Sequence, residues 1–174
     1  MKPEKLNDIK KELASKSVLE LTDLCIRLAK YKKENKELLN YLLYDANDAM
    51  DYANQVKSFL DEDFNNLSSH YYTASKSLRK ILRLINKHAK YTATKPVELE
   101  LLLWFCHKFL NTGHIHSSYK PIHAIIARQF EKIKVMIPKL HEDLAFDYKS
   151  EFDVLLNEAD KKISWFHKSY YAIN

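Results

Sequence analysis

Hydrophobic residues recur along this chain at steps of three and four, the signature of helices that bury one face. The densest run is Val97–Leu110, VELELLLWFCHKFL, where Val97, Leu99, Leu101, Leu102, Leu103, Trp104, Phe105, Cys106, Phe109 and Leu110 are all apolar. A helix that is greasy on most of its circumference must be covered on most of it. At a rise of about 1.5 Å per residue the run is too short to cross a bilayer core of roughly 30 Å. The cover is therefore protein, and the segment 97–111 is expected to be a buried central helix. Pro96 suits its first turn, where a missing N–H is no loss, and Gly113 suits a left-handed residue closing its last turn.

The remaining segments follow the same period. Leu6, Ile9 and Leu13 mark a short first helix. Ser17 and Glu20 have the spacing of a capping box and open a second, with Val18, Leu21, Leu24, Cys25 and Leu28 on one face and Lys30–Lys33 at its end. Asn35 is the expected N-cap of a long helix reaching Asp61 through Leu39, Leu42, Leu43, Ala46, Met50, Ala53, Val56 and Leu60, with Asn47 the place where it would break. Ser68 or Ser69 starts a helix to Lys90, with Tyr72, Leu78, Ile81, Leu82, Ile85 and Ala89 inward. After the loop-like stretch 114–118, Pro121 opens a helix carrying Ile122, Ile125, Ile126, Phe130, Ile133 and Ile137, and Pro138 ends it. A last helix is expected from Leu140 to Phe166, with 170–174 fraying.

Paired up, these segments predict an all-α fold of three antiparallel helix hairpins, about 17–61, 68–112 and 119–168. That makes six to seven helices in one domain over 1–174, arranged as an α-solenoid-like stack or a compact bundle around the helix at 97–111. The echo of Leu24-Cys25-Ile26-Arg27-Leu28 in Phe105-Cys106-His107-Lys108-Phe109 fits a repeat, and hairpins with a period near fifty resemble the HEAT and armadillo families. The stretches Tyr31-Lys32-Lys33-Glu34-Asn35-Lys36-Glu37-Leu38-Leu39 and Leu140-His141-Glu142-Asp143-Leu144 resemble a small group of uncharacterised bacterial all-helical proteins. That resemblance implies a helical fold and brings no activity or site residues.

Composition agrees. An apolar content of 46% rules out a disordered chain, and a single glycine among 174 residues argues against hairpin turns, bulges and phosphate loops. Cys25 and Cys106 stand at apolar helical positions and are expected to be buried, reduced thiols. The N-terminal MKPEKLNDIKKEL is charged throughout and has no signal-peptide core, so a cytoplasmic location without membrane anchorage is expected.

The net charge of +5 permits an acidic partner. Lys76, Lys80, Arg83, Lys87 and Lys90 step by 4, 3, 4 and 3, with Arg79 beside them, so one helix carries a cationic stripe opposite its apolar face. No acidic residue lies between Ser68 and Lys90, and like charges at i, i+4 repel by a few tenths of a kcal/mol per pair. A counter-charge is expected, either from Asp45, Asp48 and Asp51 or Asp61–Asp63, or from an anionic ligand such as a nucleic-acid backbone. Tyr71, Tyr72 and Tyr91 stand near enough in sequence to stack on bases or to pack. A second candidate is His114, His116 and His123, three imidazoles around one loop that could hold a zinc ion with an open fourth position. The alternative is three solvent-exposed loop histidines.

Other chemistry fails at the level of pattern. The chain has no Gly-x-Gly or Walker loop, no glycine-flanked nucleophile, and no Glu three residues before a His as bundle di-metal sites require. No cofactor is implied and no catalytic residue is assigned. The reading favoured is a non-enzymatic helical interaction or scaffold module with a protein partner. The alternative is phosphate-backbone binding through Lys76–Lys90, and the third is an enzyme with a site assembled between helices. The abundance of tyrosine, with Tyr41, Tyr44, Tyr52, Tyr170 and Tyr171 expected to be partly exposed, makes a homodimer a further expectation.

Overall fold

The structure, a computed structural model, describes residues 2–173. It is all-α: eight α-helices joined by short turns, with no strand among the described residues. The chain divides into two compact units, residues 1–47 and 48–174.

The larger unit is organised around α6, Lys95–Leu110, which the apolar run Val97–Leu110 predicts. Four helices pack on it: α4 (Ala49–Asn65), α5 (Tyr71–Thr92), α7 (Lys120–Met136) and α8 (Glu142–Lys162). Helices two steps away in sequence thus meet α6 as directly as its neighbours do, which makes the unit a bundle rather than a stack of successive hairpins. Leu99, Leu101, Leu102, Leu103, Phe105 and Cys106 are fully buried, and Trp104 is half-buried with its ring edge-on to Phe64 of α4. A second knot of rings closes the far side: Phe130 of α7 lies 4.7 Å from Phe166, which stacks on Tyr171 at 4.9 Å.

Several element boundaries differ from expectation, each for a local reason. Pro96 sits in the first turn of α6 as expected, but Gly113 does not close the helix: no glycine has positive φ. Asn111 and Thr112 instead turn back, their side chains donating to the carbonyls of His107 and Phe109, and Gly113 opens a 3-10 turn to His116. The left-handed closing residue is Ala93, at φ 53°, whose N–H donates to the Ala89 carbonyl and ends α5. That helix starts at Tyr71 rather than at Ser68 or Ser69, with Ser68 Oγ accepting from the His70 N–H. Pro138 does end α7, through a 3-10 turn over Ile137–Lys139. The last helix stops at Lys162 rather than Phe166, yet Ile163 and Phe166 remain buried. The tail expected to fray is held as far as residue 173. Lys134 Nζ donates to the Tyr170 carbonyl at 2.8 Å and Tyr171 packs in the ring cluster, while Asn174 lies outside the described residues.

The smaller unit carries α1 (Leu6–Ala14), α2 (Val18–Tyr31) and α3 (Lys33–Asn40), followed by a wide π-type turn at Tyr41–Asp45. The capping box at Ser17 forms in both directions: Ser17 Oγ accepts from the Glu20 N–H and Glu20 Oε2 accepts from the Ser17 N–H. The Ser17 N–H and the Ser17 hydroxyl, both donating to Glu20 Oε2, hold the Glu20 carboxyl below its ordinary value. Asn35 is not an N-cap but lies inside α3, and its amide donates to the Leu28 carbonyl at the end of α2.

The long helix expected from Asn35 to Asp61 is not continuous. Asp48 leaves the helical backbone, at φ −135° and ψ 89°, and its Oδ1 accepts from the N–H groups of Met50 and Asp51, which starts α4 afresh and divides the expected hairpin 17–61. Cys25 departs from expectation too: it is exposed, whereas Cys106 is buried as predicted and both are free thiols. Tyr44 and Tyr170 are exposed, Tyr52 and Tyr171 half-buried, and Tyr41 is buried.

The packing predicts a sharp contrast. Phe105→Ala opens a void at the centre of the bundle and should destabilise the protein by about 3–5 kcal/mol, while Val154→Ala on the exposed face of α8 should change stability by less than about 0.5 kcal/mol. Urea unfolding followed by circular dichroism measures both. Equal effects would contradict a core centred on α6.

Candidate functional site

Helix α5 places its apolar residues Leu78, Ile81, Leu82 and Ile85 in the bundle and turns its cations outward. Lys76, Arg79, Lys80, Arg83 and Lys90 are exposed and Lys87 is half-buried, so all six residues of the predicted stripe share the outer side of one helix. They do not share one environment. Lys80 lies on the α4 edge, where its Nζ is 2.8 Å from Asp63 Oδ1, a counter-charge expected from Asp61–Asp63, which the structure places in the last turns of α4. On the α7 edge Lys132 Nζ donates to Asn86 Oδ1 at 3.1 Å and pairs with Glu98 at 2.5 Å. Other expected acids are engaged elsewhere: Asp45 accepts from Asn40 at 3.4 Å, Asp61 faces Lys108 at 2.6 Å, Asp48 caps α4, and Asp51 accepts from Gln55.

Lys76, Arg79, Arg83 and Lys90 are left with no carboxylate within ion-pair reach among the described residues. Arg79 donates to Ser75 Oγ at 3.2 Å, and Lys76 Nζ sits 4.3 Å from the ring centroid of Tyr72. Lys76, Arg79, Leu82, Arg83 and Asn86 line a shallow open depression of about 510 Å³. A neighbouring one of about 520 Å³ adds Lys90, Lys95 and Lys132 beside the start of α6. Together they form a basic edge along α5. Of the tyrosines near the stripe, Tyr71 and Tyr72 are exposed, with Tyr71 against His114 and Tyr72 under Lys76, whereas Tyr91 is buried.

The three histidines do not converge. His116 is exposed; His114 is buried with its ring edge-on to Tyr71 and its Nδ1 without a partner; His123 is committed twice. His123 Nε2 lies 2.6 Å from the Ser117 carbonyl oxygen and its ring stacks on Trp165 at 4.2 Å, so it fastens the loop before α7 to the turn after α8. Among the described residues no group of three His, Cys, Asp or Glu side chains could hold a metal ion. The zinc expectation is therefore corrected: backbone and ring contacts occupy the donor that the site would need.

One polar cluster escaped the pattern analysis. Glu100 of α6 pairs with Lys57 of α4, and the Tyr148 hydroxyl of α8 donates to Glu100 Oε2 at 3.4 Å. The signal was present: Glu98 and Glu100 are the acidic residues of an otherwise greasy helix, and a charge there requires a cation from a neighbour. Lys132 and Lys57 are those cations. Burial, with the Glu100 and Glu151 charges beside it, pushes the Tyr148 hydroxyl up to about 12, and burial with the Glu100 charge raises the Glu151 carboxyl. Burial also raises the Cys106 thiol far above its ordinary value, which removes it as a nucleophile.

Comparison of the chain with protein-family models, with curated proteins and with solved structures finds no match. The fold and the surfaces above therefore carry the functional argument alone.

The Tyr148 environment has a consequence in alkali. The folded chain keeps this proton to a higher pH than the unfolded chain, whose tyrosine titrates near 10, so stability falls as pH rises from about 10 to about 12. Tyr148→Phe should make that alkaline decline shallower in denaturant titrations across pH 9–12. An unchanged slope would show that Tyr148 titrates normally.

Proposed function

We propose that the protein is a non-enzymatic helical interaction module: a stable bundle, residues 48–174, carrying a smaller helical unit whose apolar faces serve to bind a partner protein. One observation carries this reading. Tyr41 is the sole buried residue described in the unit 1–47, while Leu6, Val18, Leu19, Leu28, Leu42 and Leu43 are all more than half exposed. Side chains of this kind gain about 25 cal/mol for each Å² removed from water, and a face left uncovered over α1, α2 and the π-type turn marks an interaction surface. Membrane insertion does not compete for these helices as spans, since among the described residues no helix is long and apolar enough to cross a membrane.

A photo-cross-linking residue at Leu19 or Leu43 tests this, with the exposed Asp160 of the bundle as control. Discrete protein adducts should form from the two apolar positions and not from Asp160. No adduct above that control from either position would overturn the reading.

A second reading is favoured by the four exposed cations of α5 that lack carboxylate partners: contact with the phosphates of a nucleic acid along the basic edge. Anisotropy titrations with random duplex and single-stranded DNA should then show binding that weakens steeply with salt. In Arg79→Glu/Arg83→Glu the log–log salt slope should fall by about 2, since each phosphate contact contributes roughly 0.9. Binding that the double substitution leaves unchanged would assign the edge to ordinary solvated surface.

A further inference from the structure

Helices α1 and α2 enclose an open groove of about 450 Å³ floored by Ile9, Leu13 and Leu24. Its rim carries Glu4, Asp8 and Glu12, three carboxylates at four-residue steps, together with Lys11 and Lys16. Among the described residues none of the three carboxylates has a cation within ion-pair reach, and Lys16 is turned to Glu20 at 3.9 Å. An acidic row beside an apolar floor fits a helix that bears an apolar row beside cations. The same unit presents such a helix. The end of α2 exposes Leu28 and Tyr31, one turn apart, and the span from 24 to 33 contains Arg27, Lys30, Lys32 and Lys33 with no acidic residue.

The α2 end cannot enter the groove of its own chain, because Leu24, one turn earlier on the same rigid helix, is already part of the groove floor. We propose that it enters the groove of a second copy: the protein self-associates as an isologous dimer in which Leu28 and Tyr31 of each chain seat on Ile9 and Leu13 of the other. Arg27 and Lys30 then face Asp8 and Glu12 across the contact. Two-fold symmetry makes the contact twice, so the acidic row and the basic end of each chain are both matched. The inference rests on the reading of residues 1–47 as an interaction surface and names its partner.

The test is sedimentation of the purified full chain and of two charge-reversed variants, Asp8→Lys/Glu12→Lys and Arg27→Glu/Lys30→Glu, all at exposed positions. The unaltered chain should be dimeric at about 100 µM, and each variant should weaken association at least about tenfold with its helical circular dichroism retained. Mixed in equal amounts, the two variants should associate again, because reversed groove meets reversed helix in one contact and unaltered meets unaltered in the other. A chain monomeric at that concentration overturns the proposal, and so does a dimer that neither variant weakens or a mixture that fails to recover. Cross-links from Leu19 or Leu43 to a different protein, beside a monomeric purified chain, would overturn self-association while leaving the interaction module standing.

Discussion

The burial of α6 is the constraint on which the bundle depends. Its residues from Val97 to Leu110 present apolar side chains in every direction, so no single neighbouring helix can remove them from water. Four helices are needed, and α4, α5, α7 and α8 supply them. α6 is covered on most of its circumference, with Glu100, Trp104, His107 and Lys108 on its one half-buried line, and the two carboxylates it carries, Glu98 and Glu100, are met by groups from the surrounding helices. Lys132 on one side and Lys57 with Tyr148 on the other meet them, so the polar contacts lie where the apolar packing has already fixed the geometry. Such pairs add little net stability when partly exposed. Their effect is on register, since a slip of α4 or α8 along α6 would separate a half-buried charge from its partner.

Seen from the amino-acid sequence, the central helix was legible because its composition alone determines its fate. The cationic stripe of α5 was legible too, since spacing of 4, 3, 4 and 3 needs no tertiary knowledge to place residues on one face. What spacing cannot convey is which side chain answers which. The split of the stripe between Asp63 on one edge and Asn86 with Lys132 on the other depends on contacts 17 and 46 residues apart in sequence. His123 shows the same limit: its stacking on Trp165 and its bond to Ser117 decide against metal binding, and neither partner is implied by the histidine spacing.

The division at Asp48 failed for a different reason. Hydrophobic periodicity runs unbroken from Leu39 to Leu60, yet α3 ends at Asn40, a π-type turn follows over Tyr41–Asp45, and the Asp48 carboxylate captures two backbone amides to start α4 anew. Gly113 and Ala93 exchanged expected roles in the same way. A glycine after a helix suggests a left-handed cap, but Asn111 and Thr112 satisfy the α6 carbonyls with their side chains, while α5 adopts the left-handed cap at an alanine. Cys25 was misplaced because amphipathicity identifies the face that wants cover without saying whether its own chain provides it.

That last distinction separates the two units energetically. In the bundle, apolar positions at helical spacing coincide with buried ones, as with Ile122, Ile126, Phe130 and Ile133 along α7. In the unit 1–47 the same spacing produces faces that stay in water, and the helices α1 and α3 are nine and eight residues long. Isolated helices shorter than about 12–15 residues are marginal, and a unit only a little above about 40 residues, the size below which disulfides, metals or oligomerisation are usually needed, buries little surface of its own. Local devices such as the Ser17–Glu20 capping box contribute about 1 kcal/mol, far less than the ordering of three helices costs. By that balance the unit 1–47 draws less stability from its own packing than the bundle does, and its apolar faces are where added cover would change stability most.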